Sequence, residues 1–217
     1  MHRVSFPQKV AATCAVAAIT CSAHAAFLAP NSAIGLSFEN EPLGATLVTS
    51  LISPFAGINF LGLTNFTGTL ASSVYSGDTS NPFGGLTFTY LLSNSSTSAD
   101  ALARLTLSSF ASQLTDVGYK NTGIIPLNVV RDAGGDQIAF NLLTPLFQHS
   151  LTPGASTVLL TIQTGATGYN TGNASVIDSA TANVPALVPT SIVPEPGVLS
   201  LAGLGLAATL LRRKSKA

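Results

Sequence analysis

The feature that most limits what this chain can fold into is the alternation of apolar and polar residues in short segments. Between 86 and 92 every second residue is apolar, and two threonines lie between them. The segments 137–143 and 156–163 alternate in the same way. A period of two places successive side chains on opposite faces of a β-strand, so each segment predicts a strand with one buried face.

Weaker candidates for strands are the segments 45–52, 69–75, 104–108 and 124–130. Turn-forming residues separate the segments, as in Asn81-Pro82 and in the glycine-rich run 132–136. Short strands at this spacing predict one all-β domain, an antiparallel β-sandwich of jelly-roll-like type. Its core should contain the apolar residues of the three alternating segments: Leu86, Phe88, Tyr90, Ile138, Phe140, Leu142, Val158, Leu160 and Ile162.

The beginning of the chain differs from the middle. Two basic residues precede an uncharged, alanine-rich stretch at 10–23, and Ala23 and Ala25 form an A-x-A site before Ala26. This order predicts a secretory signal peptide over 1–25, with a signal helix that is removed after export.

The end of the chain consists of three blocks. Val193 and the turn Pro194-Glu195-Pro196 come first, and the prolines keep this segment extended because they fix φ and lack amide donors. The uncharged, mostly apolar residues 198–211 predict a hydrophobic helix of about 21 Å, short of the ~30 Å hydrocarbon core of a membrane. The tail at 212–216 should remain cytoplasmic because it carries a basic cluster: Arg212, Arg213, Lys214 and Lys216.

This order of motif, apolar helix and basic tail resembles the sorting signal of bacterial PEP-CTERM proteins. The resemblance covers residues 193–217, about an eighth of the chain. It implies processing by a membrane transpeptidase called exosortase, with transient membrane association through the C-terminal helix. It also implies an inner-membrane intermediate and a final place on the cell surface or in an extracellular matrix that contains exopolysaccharide.

The charge of the exported part differs from that of the whole chain. Residues 26–196 keep three basic and all nine acidic residues, which gives a formal charge of −6. An acidic domain is a poor partner for nucleic acid, so no nucleic-acid partner is predicted. Both cysteines, Cys14 and Cys21, precede the predicted cleavage site, which excludes disulfides and thiol chemistry from the domain.

Residues that could perform catalysis or bind a metal are few. His149 is the one histidine between 26 and 196, and its place beside a Pro-Gly turn is typical of a surface loop. The glycine-rich turn at 132–136 offers Asp132 and Asp136 as a weak calcium candidate, since it lacks the ligand count of an EF-hand loop. An ordinary hairpin turn with solvated acids explains the same residues. No catalytic residue and no cofactor is predicted.

The predicted organisation is a signal peptide at 1–25, a β-domain at 26–183, a proline-rich linker at 184–192 and the sorting signal at 193–217. The main hypothesis is a non-enzymatic surface or matrix component, which predicts no cleft with converging polar groups. A carbohydrate-binding module of the exopolysaccharide matrix predicts an exposed row of tyrosines. A secreted hydrolase predicts two carboxyl groups of raised pKa in a pocket.

Overall fold

The segments in which apolar and polar residues alternate form β-strands along most of the domain. A computed structural model describes residues 26–142 and 150–190, and these residues form β-strands without a helix. The strands are β1 (Ala26–Phe27), β2 (Ala33–Ile34), β3 (Thr46–Ile58), β4 (Thr64–Ser76), β5 (Thr87–Asn94), β6 (Arg104–Leu107), β7 (Thr115–Lys120), β8 (Asn128–Arg131), β9 (Ile138–Asn141), β10 (Leu159–Thr164), β11 (Tyr169–Ile177) and β12 (Thr181–Pro189).

The strands form two six-stranded sheets. The first sheet has the order β1-β7-β10-β5-β4-β3, and the second has the order β12-β11-β6-β9-β8-β2. Neighbouring strands pair antiparallel in both sheets. The predicted all-β antiparallel sandwich is therefore confirmed, while the signal helix and the C-terminal hydrophobic helix lie outside the described residues.

The core lies between the inner faces of the two sheets. In β5, Phe88, Tyr90 and Leu92 are fully buried and face the second sheet, as their spacing predicts. Eight of the nine predicted core residues are buried, and Leu86 is partly buried against the same core. Burial of these side chains stabilises the domain by roughly 1.5–3 kcal/mol each, before the loss of chain entropy is counted.

Polar contacts also connect the two sheets. The Tyr90 hydroxyl donates to the carbonyl oxygen of Leu187 at 2.7 Å, and the Leu187 amide donates to the Ser72 hydroxyl at 3.1 Å. Leu187 belongs to β12, whereas Ser72 and Tyr90 belong to β4 and β5. The contacts satisfy groups that would be costly to bury without partners.

The predicted linker at 184–192 is wrong over residues 184–189, because these residues belong to β12. This strand pairs with β11 from Thr181 to Pro189, and its alternate residues Ala182, Val184, Ala186 and Val188 are buried. The prolines suggested a linker since they cannot donate to a strand ladder. They are tolerated here because β12 is the edge strand of its sheet. The domain therefore extends beyond the predicted boundary at 183.

Arg131 of β8 is a buried charged residue that connects several segments of the sandwich by hydrogen bonds. Its side chain is buried, and it donates to the Thr115 hydroxyl and to carbonyl oxygens of four residues at 2.8–3.0 Å: Leu28, Phe110, Gln113 and Gly135. Gly135 has φ +70, a left-handed conformation that glycine adopts without strain. The guanidinium group therefore fixes the turn between β8 and β9 against two other segments.

Candidate functional site: carboxyl groups beneath a crossing segment

Residues 35–45, here called the strap, connect β2 of the second sheet to β3 at the far edge of the first sheet. The strap begins along β7, where the Glu39 amide donates to the Tyr119 carbonyl at 2.7 Å. It ends beside Asp78, whose carboxylate accepts the Leu43 amide at 2.9 Å. Because β10 and β5 lie between these points, the strap crosses the outer face of the sheet.

The outer face beneath the strap is polar and buried. Thr87 of β5, Gln163 of β10 and Asp116 of β7 lie in register across three neighbouring strands. Thr87 and Gln163 have no exposed surface, and Asp116 is 4% exposed. The strap adds Glu39 and Glu41, also buried, so that four carboxyl groups including Asp78 are enclosed together.

Asp78 is held by hydrogen bonds on both of its oxygens. Oδ1 accepts the Leu43 amide and both the amide and hydroxyl of Ser80, and Oδ2 accepts the Thr87 hydroxyl and Gln163 Nε2. Burial on its own would raise the pKa of Asp78, but these donors favour the ionised form and hold the pKa below its usual value. Asp78 is therefore a fixed negative charge at the end of β4.

The pKa of Glu41 is shifted in the opposite direction. Burial, followed by the negative charges of Asp78, Glu39 and Asp116, raises the pKa of Glu41 to about 8. A hydrogen bond with Gln163 acts in the other direction but does not offset these effects. Two acids enclosed by the same strap therefore differ in protonation, because Asp78 has donors and Glu41 has like-charged neighbours.

Two buried oxygens in this cluster accept no hydrogen bond. They are Glu41 Oε2, on the strap, and Gln163 Oε1, on the strand below it. The Gln163 amide nitrogen donates to Asp78 Oδ2 and Ser80 Oγ, each at 3.0 Å, which fixes the side chain within the cluster. As the side chains stand, no three His, Cys, Asp or Glu residues of the ranges 26–142 and 150–190 form a ready-made metal site.

Two surface grooves lie elsewhere. The first, with a volume of about 520 Å³, runs along β3, β4 and β5 and is lined by Phe55 and by hydroxyl and amide side chains that include Thr67, Ser93 and Asn94. The second, of about 330 Å³, includes Arg104 and Asn128. Neither groove is lined by a carboxyl group.

The tyrosines do not form the row that a carbohydrate platform would need. Tyr90 is buried in the core, and Tyr75 and Tyr119 lie on strands of the first sheet that are separated by two others. Tyr169, which is 40% exposed, lies on the second sheet. Tyr119 contacts Phe38 of the strap edge-on, with 5.8 Å between ring centroids.

The sequence-predicted calcium candidate, Asp132 and Asp136, lies in the turn between β8 and β9. Asp132 accepts the Gln137 amide at 2.9 Å, and Asp136 accepts the Ser109 amide at 3.1 Å. Each acid therefore caps a different stretch of backbone, and the two carboxylates have separate structural tasks. Asp132 is exposed to solvent, in contrast to the acids beneath the strap.

Sequence reasoning missed the strap cluster. Glu39, Glu41, Asp78 and Asp116 are spread over almost eighty residues, and no spacing rule connects them. A local signal does exist, since two acids in a short, loop-like segment before a long strand have no basic residue nearby in sequence. That signal does not indicate which strands the segment crosses.

Most of the predicted sorting and cleavage residues lie outside the described residues, as does His149. This applies to Ala23 and Ala25, to the motif at 193–196 and to the basic cluster at 212–216. Ala26 is described, and it begins β1, where it pairs with Val117 of β7. The described residues contain no helix that is long and apolar enough to cross a membrane.

The fold and the tail together define a class: a β-sandwich domain followed within a few residues by a membrane-directed processing signal. Residues 193–214 match the PEP-CTERM protein-sorting motif. The chain is therefore an exported protein with an exosortase-type sorting signal, which implies recognition by an exosortase and membrane association during processing. The matched range contains the Pro-Glu-Pro sequence at 194–196 and the first three basic residues of the tail.

The match does not extend into the sandwich. Comparison with curated proteins and with solved structures gave no match. The role of the domain must therefore be inferred from its own residues.

Proposed function

We propose that the exported domain is a non-enzymatic component of the cell surface or of the extracellular matrix. The observation that supports this proposal is the position of Glu41. It has the strongly raised pKa expected of a catalytic acid, but it is 3% exposed and lines neither surface groove. A general acid must come within hydrogen-bond reach of its substrate, and the burial of Glu41 argues against such contact.

Fractionation and a hydrolysis assay test the proposal together. The protein should be found in the surface or matrix fraction of the producing cells. Purified protein incubated with exopolysaccharide from these cells should leave the chain length and the number of reducing ends unchanged. Cleavage by the natural protein that is lost in Glu41→Gln would instead identify a hydrolase in which the strap opens.

A carbohydrate-binding module of the exopolysaccharide matrix is the second candidate. The groove along β3, β4 and β5 favours it, because the hydroxyl side chains of Thr67, Thr69 and Ser93 line it. Polar groups placed in a groove fix the orientation of a bound ligand, and sugars offer many hydroxyl groups to them.

Affinity electrophoresis through gels that contain the exopolysaccharide distinguishes the two candidates. A binding module should be retarded, and the double variant Thr69→Val/Ser93→Ala, which removes two hydroxyl groups that line the first groove, should migrate freely. Arg104→Gln in the second groove is the matched control and should migrate like the natural protein. Unretarded migration of all three proteins would rule out binding to this polymer and leave the structural role.

A further inference from the structure

We propose that the buried side chains of Thr87 and Gln163 react with each other and form an ester crosslink between β5 and β10. The reaction joins Thr87 Oγ1 to Gln163 Cδ and releases the amide nitrogen of Gln163 as ammonia. Each chain undergoes it once, so the crosslink belongs to a structural domain and requires no outside substrate.

The register of the first sheet places the two side chains opposite each other. Thr87 and Gln163 are direct partners in the antiparallel pairing of β5 with β10, and neither residue has exposed surface. Directly opposite residues have Cβ atoms about 4.5–5.5 Å apart. The linkage Cβ–Oγ–Cδ–Cγ–Cβ of a threonine–glutamine ester spans such a distance, so the crosslink requires no shift of either strand.

The two reacting groups share one carboxylate oxygen. Thr87 Oγ1 donates to Asp78 Oδ2 at 2.7 Å, and Gln163 Nε2 donates to the same oxygen at 3.0 Å. The other oxygen of Asp78 is held by the Leu43 amide and by Ser80. A hydroxyl nucleophile, a base and the leaving nitrogen are therefore fixed at one point, which is the arrangement that activates a hydroxyl group for attack.

Asp78 transfers the proton. It is ionised because its hydrogen bonds hold its pKa below the usual value, so it can accept the proton of Thr87 Oγ1 while this oxygen attacks Gln163 Cδ. The same carboxylate passes the proton to Nε2, the Cδ–Nε2 bond breaks, and ammonia leaves. One hydroxyl group and one primary amide thus give one ester and one ammonia, and Asp78 ends as it began. A carboxylate is a weak base, but a slow reaction suffices because it occurs once per chain.

Glu41 provides a donor for the oxygen that gains negative charge during the attack. Gln163 Oε1 is buried, and the side chains of Glu41 and Gln163 are within hydrogen-bond reach. Burial and the neighbouring acids raise the pKa of Glu41 to about 8, so its carboxyl group keeps its proton at neutral pH. This proton can be donated to Oε1, where it stabilises the tetrahedral intermediate as an oxyanion hole does.

Burial also protects the ester after it has formed. Water must enter the closed space beneath the strap to hydrolyse it, whereas the ammonia that is released dilutes into the solvent. Residues 26–217 contain no cysteine, so no disulfide can connect the strands of the exported domain. An ester between neighbouring strands would supply the covalent connection that many exported domains obtain from disulfides.

Mass spectrometry of the full-length protein, purified in detergent and kept at neutral pH, tests the proposal. Trypsin cleaves after Arg104 and Arg131, so Thr87 and Gln163 lie in different peptides of the denatured chain. These two peptides should remain joined, with a mass that is one ammonia molecule below their sum. Hydroxylamine, which cleaves esters and leaves ordinary amides intact, should separate them.

Variants locate the bond. Thr87→Val lacks the nucleophile, so it should give two separate peptides and a Tm about 10 °C below that of the natural protein, as for the loss of a disulfide across a long loop. Asp78→Asn should also abolish the joining, and Glu41→Gln should slow it. Thr89→Val removes a buried hydroxyl group two residues along β5, and this matched control should keep the joined peptides. If Thr87→Val does not fold, fragmentation of the joined peptides locates the bond in the natural protein.

The proposal is overturned if the natural protein gives two separate peptides with the masses of their sequences. It is also overturned if Thr87→Val still gives joined peptides, or if the ammonia is lost within a single peptide, because another amide would then have reacted. Both candidate roles of the domain would survive these results, so the test judges the crosslink alone.

Discussion

Glu41 should make the domain less stable as the pH rises through neutrality. Its pKa is about 8 in the folded protein and 4.5 in its unperturbed state, because of burial and of the negative charges of Asp78, Glu39 and Asp116. Between these two values the folded chain holds one proton more than the unfolded chain. The free energy of unfolding therefore decreases with pH over this interval and is constant for this group outside it.

The magnitude follows from the gap between the two pKa values. Each unit corresponds to 1.36 kcal/mol, so the gap sets an upper limit of about 5 kcal/mol. Movement of the strap and entry of water reduce this limit, and we expect a loss of about 2–4 kcal/mol between pH 5 and pH 9. Asp78 acts in the opposite direction and only in acid, where its lowered pKa makes stability fall as the pH falls below about 4.

Urea denaturation, followed by circular dichroism at each pH, measures the effect. Glu41→Gln places a neutral group of the same shape beneath the strap, so its stability should lose most of the dependence on pH between 5 and 9. At pH 9 it should be more stable than the natural protein. Asp132→Asn, the exposed control, should keep the natural slope, as should Lys120→Gln at the other end of β7.

Equal slopes in the natural protein and in Glu41→Gln would refute the reasoning. A stability that rises between pH 5 and pH 8 would refute it as well, since the sign follows directly from the raised pKa of a carboxyl group.

Three further predictions concern the core, the buried side chain of Arg131 and the C-terminal tail. Phe140→Ala should lower the free energy of unfolding by about 3–5 kcal/mol in urea denaturation, and a loss below 1 kcal/mol would show that the ring is not in a packed core. Arg131→Met should cost at least about 3 kcal/mol, because the carbonyl oxygens that it binds would lose their donor inside the protein. Replacement of the motif at 194–196 by alanines should leave export intact and make precursor with the tail attached accumulate in the inner membrane. Normal amounts of processed protein from that variant would show that the motif is not read.

The amino-acid sequence predicted those strands in which apolar and polar residues alternate strictly. Phe88, Phe140 and Ile162 fall on the core faces of β5, β9 and β10 because apolar residues recur every second position. The segments β7 and β11 were missed because Gly118 and Gly172 interrupt the pattern and polar residues dominate it. The two prolines of β12 led to the prediction of a linker, although the apolar residues of this segment alternate regularly. An edge strand accommodates such prolines.

The cluster beneath the strap could not be predicted, since it depends on register between distant strands. Asp116, Gln163 and Thr87 become neighbours only because β7, β10 and β5 pair at those positions. Glu41 then acquires its raised pKa from the path of the strap across these strands. Such contacts are set by topology, and no local pattern in a single sequence encodes them.

The position of β12 has a consequence for the order of events during export. Among the described residues it is the last strand in chain order, it pairs with β11, and it faces β3 and β4 across the sandwich. The contact between Ser72 and Leu187 joins residues 115 apart in sequence. The sandwich can therefore close only when nearly the whole chain is outside, and the sorting motif begins four residues after the end of β12. Because the motif follows β12 so closely, completion of the sandwich and exposure of the motif require export of nearly the same length of chain, and a chain truncated before β12 would lose both together.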